Sequence, residues 1–177
     1  MVHCSSDHPN IKIGVKKIKY ALNSFSDLTF LIHTGIKVGD PPPLKFLVFF
    51  NNIADTISAA CFIHQRLPCE LRDKIMWFNA NMSAEYKQTE LDNLISGETW
   101  GLFTTTSFGM VSTVVHHHLQ GMVMLDISLV IQWRATCKVA ALWQHFGCAV
   151  RDQALTGTAL LFAEKEYFND EKAVKSS

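Results

Sequence analysis

Five short apolar runs, separated by segments with helical spacing, constrain this chain more than any other feature. LKFLVFF (44–50) is almost continuously apolar, as in a parallel strand buried on both faces. Asn51-Asn52 ends it, and Ile53, Ile57, Ala60, Cys61 and Leu67 then recur near helical spacing up to Pro68. KIMWFNA (74–80) is the second run; Ser83 is placed to cap a helix predicted to reach about Ser96, before Gly97. TWGLFTTT (99–106) is rich in β-branched and aromatic residues, and ISLVIQW (127–133) carries the clearest buried-strand pattern. A last helix is predicted over roughly Val139 to Val150, followed by the strand TGTALLFAE (156–164). Strands alternating with helices predict an α/β fold, a parallel sheet with helices on both faces and ligands at the carboxyl ends of the strands. Asn51, residues 79–83, residues 104–110 and Trp133-Arg134 then share one edge.

Residues 1 to about 40 show only weak periodicity, and Gly39-Asp40-Pro41-Pro42-Pro43 breaks the chain, because consecutive prolines fit neither a helix interior nor a central strand. The expected organisation is a leader and connector over 1–43, one domain over 44–168 and a tail over 169–177. With 16 basic and 16 acidic residues, net charge gives no reason to expect nucleic acid, so any phosphate contact must come from local groups. The five cysteines form no C-x-x-C pair and suit a reducing compartment, nuclear or cytoplasmic. No run approaches the roughly 20 apolar residues of a membrane helix, and MVHCSSDHPN lacks a signal-peptide core.

Nothing matches the phosphate-loop pattern G-x-x-x-x-G-K-[ST], and no acidic pair that could hold Mg²⁺ ends an apolar run. The order of segments is nevertheless informative: FLVFFNN, LRDKIMWFNANMS, GETWGLFTTTSFGM, DISLVIQWRATC, LWQHFGCAVRD. In this order and spacing they resemble the second RecA-like domain of RecQ-family DNA helicases, especially a divergent fungal branch. The resemblance runs from about Asp7 to Phe168 with one interruption, and Asp7-His8-Pro9-Asn10-Ile11 looks like the family's D-R-P-N-[IL] connector.

The resemblance implies a three-layer RecA-like, P-loop NTPase-type fold and half of an ATP-dependent 3′–5′ DNA-unwinding motor. In such motors ATP with Mg²⁺ lies between two RecA-like domains; the first brings the phosphate loop and the second an arginine. The family pattern Q-x-x-G-R-x-x-R reads here Gln144, Gly147, Cys148 and Arg151. Gln144, Gly147 and Arg151 are therefore expected at the nucleotide, with Arg151 in the catalytic role. Cys148 stands where a second arginine is expected, and a thiol gives no bidentate, permanently charged fork; as a bare residue it reads as a small side chain filling a helix face.

The family's F-G-M-G-M-D is interrupted: Phe108-Gly109-Met110 is followed by VSTVVHHHLQ (111–120), then Gly121-Met122-Val123. Val123 replaces the Asp that helps couple nucleotide to DNA in relatives, while a later D-I survives as Asp126-Ile127. Consecutive residues such as His116-His117-His118 would point in different directions in either a helix or a strand, and no nearby Cys, Asp or Glu completes a tetrahedral set, so no metal site is expected. The ten inserted residues read as a bulging loop or a translated intron, which sequencing the mature transcript would decide: a message holding only the long form sinks the intron reading.

By resemblance, contacts to the backbone of single-stranded or duplex DNA fall on Asn51, Asn81, Ser83 and Thr105. Each also has a simpler role: Asn51-Asn52 as strand punctuation, Ser83 as helix cap, the Thr104–Thr106 run as β-propensity. The four tryptophans (77, 100, 133, 143) read as core or interface rather than stacking platforms, and Lys16, Lys17 and Lys19 as a solvated face. The chain alone is expected not to hydrolyse ATP and to need an N-terminal RecA-like partner domain. The competing expectation is a degenerate domain that binds nucleic acid or protein without motor activity, favoured by Cys148, Val123 and the absent phosphate loop.

Overall fold

The computed structural model describes residues 10–106, 126–149 and 156–168. Among them lie six parallel strands: β1 (Ile11–Lys17), β2 (Phe46–Phe49), β3 (Ile75–Phe78), β4 (Gly101–Thr104), β5 (Leu129–Trp133) and β6 (Gly157–Ala163). They pair in the order β1-β6-β5-β2-β4-β3. Among the described residues three α-helices accompany them: α1 (Ile53–His64), α2 (Ala84–Ser96) and α3 (Val139–Phe146).

Strands β2, β4 and β5 are buried at every residue, which accounts for their unbroken apolar sequence. Alternate side chains enter two separate cores. Phe46, Val48, Phe103, Ile131 and Trp133 face α1, whose Ala59, Ala60 and Ile63 cover them. Leu47, Phe49, Leu102 and Val130 face the other way, beneath Leu91 and Leu94 of α2 and Phe146 of α3. The crossover from β3 back to β4 reverses direction along the sheet, so its helix α2 falls on the face opposite α1. The three-layer RecA-like arrangement expected from the sequence is present.

Helix ends follow local chemistry. The Asn52 side chain accepts from the Asp55 amide at 2.7 Å and donates to the Asp55 carboxylate at 2.8 Å, so the residue after Asn51 is a helix cap as well as strand punctuation. Ser83 Oγ accepts from the Tyr86 amide at 3.1 Å, and α2 stops at Gly97, whose φ of 85° is open to glycine without strain. Helices α1 and α3 end at His64 and Phe146, short of the Leu67 and Val150 expected from spacing.

The segment read as leader is structural in large part. Strand β1 lies against β6 at the edge of the sheet, Ile11 opposite Gly157 through Lys17 opposite Ala163. Two 3-10 turns, Leu22–Ser24 and Ser26–Leu31, then carry Phe25, Leu28 and Leu31 into the α1-side core, joined by Ile32 and Ile36. Their spacing of three belongs to a 3-10 turn and matches neither the 3.6-residue nor the two-residue period, which is why this stretch looks aperiodic.

Candidate nucleic-acid and nucleotide interface

Because all six strands run in one direction, the residues after their carboxyl ends gather along one edge. Three neighbouring strands, β2, β4 and β3, bring together the expected nucleic-acid contacts. Exposed Asn51 follows β2, half-buried Thr105 follows β4, and exposed Asn81 and Ser83 follow β3. The order of the sheet therefore assembles four polar residues spread over more than 50 positions of the chain.

Local bonds fix the loop after β3. Asn79 is buried, and its Oδ1 accepts from the Asn81 amide at 3.0 Å, while Lys87 Nζ donates to the Ala80 carbonyl at 2.8 Å. The Ser83 hydroxyl oxygen already accepts from Tyr86 in the helix cap, though it keeps its own proton for a further acceptor. Thr104 is different: its hydroxyl donates to the Phe78 carbonyl at 2.9 Å within the buried sheet and is a strand tie.

On the other side of β2 the sheet continues into β5, and α3 packs on the α2 side. Gln144 is exposed on α3 and Gly147, half-buried, caps it with φ −65°, an ordinary helical conformation. Arg151, Val123 and residues 111–120 lie outside the described residues. Cys148 is 3% exposed in the core with Leu47, Phe49 and Phe146, and its Sγ donates to the Gln144 carbonyl at 3.6 Å. The surviving Asp126 lies before β5, at the amino edge, 2.5 Å from Lys45 Nζ.

Two arrangements at the carboxyl edge had no clear signal in the sequence. Gln132 in β5 donates from Nε2 to the carbonyls of Trp133 and Arg134 at 3.1 and 3.4 Å. Its Oε1 therefore faces His145 Nδ1 at 2.8 Å and accepts, which puts the imidazole proton on Nδ1. The same ring stacks on Phe49, with centroids 3.9 Å apart and planes 4° from parallel. This buried amide, imidazole and phenyl group join β5, α3 and β2, and so hold Gln144 in place beside the strand ends. Neighbouring Arg134 adopts φ 71°, strained for a side chain of its size. Glu164, after β6, clamps it, accepting from Arg134 Nε at 2.7 Å and from the Ala135 amide at 3.2 Å. Burial alone would push the Glu164 carboxyl up, but these donors outweigh it and hold it below its ordinary value.

Burial lowers the His145 pKa from 6.5 to about 4. The unfolded chain therefore takes up the proton first. Stability is complete above about pH 6.5, falls as pH drops towards 4 and levels off below, a loss of about 3 kcal/mol. Urea melts across this window should show the loss in the native sequence and flatten in His145→Phe, which keeps a stacking ring without the titration. Parallel profiles would place the acid sensitivity elsewhere.

The described residues do not fit a nucleoside triphosphate with Mg²⁺ by themselves. The turn entering α1 carries Asn51-Asn52 rather than glycines, and the Asn52 side chain takes up the Asp55 amide there. Glu164, an acid at a strand end, is committed to Arg134. No helix among the described residues is long and apolar enough to cross a membrane.

No protein-family model matches the chain, and no curated protein matches it. Solved structures do share its fold. The C-terminal domain of the DEAD-box protein Dbp5 aligns with TM-score 0.63 and 13% identity, over 89% of this chain and 78% of that one. Domain 2 of the DEAD-box helicase Mss116p, bound to an RNA duplex, aligns with TM-score 0.60 and 14% identity, over 88% and 55%. The helicase MrfA bound to DNA aligns with TM-score 0.53 and 16% identity, over 68% of this chain. This chain spans only 16% of MrfA's length. The fold is that of the second, C-terminal RecA-like domain of helicases.

Proposed function

We propose that this chain is the second motor domain of an ATP-dependent 3′–5′ DNA helicase of RecQ type, acting in the nucleus and dependent on a first RecA-like domain. The single observation that carries the reading is the collection of Asn51, Asn81, Ser83 and Thr105 on three adjacent strand ends, in a helicase-type fold. Short amide and hydroxyl side chains beside backbone N–H groups suit the phosphates of a single strand without net positive charge. The RecQ assignment is supported by the ordered motifs from FLVFFNN to LWQHFGCAVRD. In the two-domain motor, ATP and Mg²⁺ would be held mainly by the partner, with Gln144, Gly147 and Arg151 facing the nucleotide from this side.

A second reading is favoured by one observation: Cys148 is sealed in the core, so the position of the family's middle arginine offers no side chain to a phosphate. On that reading the domain binds nucleic acid or a partner protein and drives no motor.

Fluorescence anisotropy with single-stranded DNA tests the shared part. The native chain should bind, and Asn51→Asp with Ser83→Asp should weaken binding at least about tenfold, since each places a carboxylate against phosphate. Unchanged binding in that variant would remove these residues from the interface; no binding by the native chain would sink the motor reading and leave the inactive domain only as a protein-binding one. DNA-stimulated ATPase, measured alone and with a matching first domain, separates them. Activity only in the mixture supports the motor, whereas none in either supports the inactive domain.

A further inference from the structure

Beyond the end of β1, on the same carboxyl edge, lies a hollow of about 400 Å³, within the roughly 300–1,000 Å³ range of ligand clefts. Lys16, Lys19, Tyr20, Asp27, Phe30 and Phe162 line it. Lys16 belongs to the strand face that carries Gly14, where an added Cβ would come within 3.2 Å of Leu160; its ammonium lies 4.8 Å over the Phe30 ring. Phe30 is itself stacked on buried Phe162, with ring centroids 6.1 Å apart. The Asp27 carboxylate is the acid in the hollow, and it is spent on backbone: it accepts from the amides of Lys19 and Tyr20 at 3.0–3.2 Å. Among the described residues, neither Lys16 nor Lys19 forms an ion pair through its ammonium. Tyr20 is 61% exposed and Phe30 47%.

Exposed aromatic surface beside positive charge that no carboxylate pairs is a combination that binds single-stranded nucleic acid: rings stack on bases and ammonium groups meet phosphates. Here it appears in a chain whose net charge is zero, so the field is local. The position is also suitable. At about 4.8 Å per strand, the end of β1 lies about 14 Å along the edge from the end of β2, where Asn51 stands. The hollow opens on the side of the sheet where the 3-10 turn Ser26–Leu31 packs, whereas α3 and Gln144 lie on the opposite side. A strand running from Asn51 to the hollow would not compete with a nucleotide at α3. Two acids follow β6 on this edge: Glu164 is paired with Arg134, and Glu166 is exposed in the turn Lys165–Tyr167.

We infer that this hollow is a second nucleic-acid subsite, taking one nucleotide unit of the same single strand, with phosphate on Lys16 and Lys19 and the base against Tyr20. The inference rests on the nucleic-acid role proposed above and extends its path past the three strands that define it. The test is anisotropy of the full chain with oligothymidylates of about 4 and about 12 nucleotides, lengths bracketing a single-domain site. The native chain should bind the longer at least about tenfold tighter, because only it reaches both regions. Lys16→Ala with Lys19→Ala should abolish that gain and reduce the slope of log affinity against log salt by about 1.4, two phosphate contacts at roughly 0.7 each. Tyr20→Ala should weaken binding of the longer oligonucleotide about tenfold while leaving the salt slope unchanged. All three side chains are exposed, and unchanged thermal melting confirms that the variants fold. A native chain that binds while the lysine variant keeps its length gain, or the Tyr20 variant its affinity, overturns this subsite and leaves the proposed function standing. A native chain that binds neither oligonucleotide overturns the proposed function.

Discussion

Cys148→Arg should destabilise the domain by about 3 kcal/mol or more, with loss of folding at moderate temperature a realistic result. The position is 3% exposed and belongs to the core shared by Leu47, Phe49 and Phe146, with no carboxylate among those neighbours to pair a guanidinium. Cys148→Ala, which removes only the thiol, should cost about 1 kcal/mol. Urea denaturation of both variants checks this. An arginine variant as stable as the native chain would mean that the turn after α3 can swing position 148 to solvent, and would reopen the site to a phosphate-binding arginine. If the loss appears, restoring the family's residue cannot by itself restore the family's chemistry.

Trp133→Ala should lower stability by about 3–5 kcal/mol, the range for removing a large aromatic side chain from a packed core. Trp133 is 1% exposed at the end of β5, with ring centroids 6.0 Å from Phe25, 6.4 Å from Phe50 and 5.6 Å from Phe162. It therefore joins the 3-10 turns of the amino-terminal segment to β2, β5 and β6. The loss should be seen as a lower urea midpoint, and Trp133→Phe should recover part of it. Trp143, exposed on α3, offers the contrast: Trp143→Ala should change stability by less than about 1 kcal/mol. A Trp133→Ala variant within 1 kcal/mol of the native chain would contradict the packing described for this cluster.

Much of the fold was legible because its signals are local. LKFLVFF and ISLVIQW are strands buried on both faces, and such strands need apolar residues at every position. Ser83 and Gly97 mark the ends of α2 through bonds and dihedrals that span a few residues. The amino-terminal segment was not legible in the same way. Phe25, Leu28 and Leu31 follow the three-residue spacing of 3-10 turns, and β1 obtains its hydrogen-bonding partner from β6, near the other end of the chain.

The candidate site divides along the same line. Strand polarity alone put Asn51, Asn81, Ser83 and Thr105 on one edge, because parallel strands send all their carboxyl ends the same way. Which of these side chains are already committed could be decided only by tertiary contacts. Within the Thr104–Thr106 run, the Thr104 hydroxyl bonds the Phe78 carbonyl on the neighbouring strand. Glu164 gave no sign of a role until β5 and β6 lay side by side and Arg134 reached it. The sequence by itself determined the alternation of elements and the edge where polar groups collect, since both follow from short-range periodicity. Only the tertiary structure decided that Cys148 is core, that Lys16 and Lys19 border an aromatic hollow, and that Gln132 orients His145, since burial and hydrogen bonding across 13 or more residues depend on which elements meet.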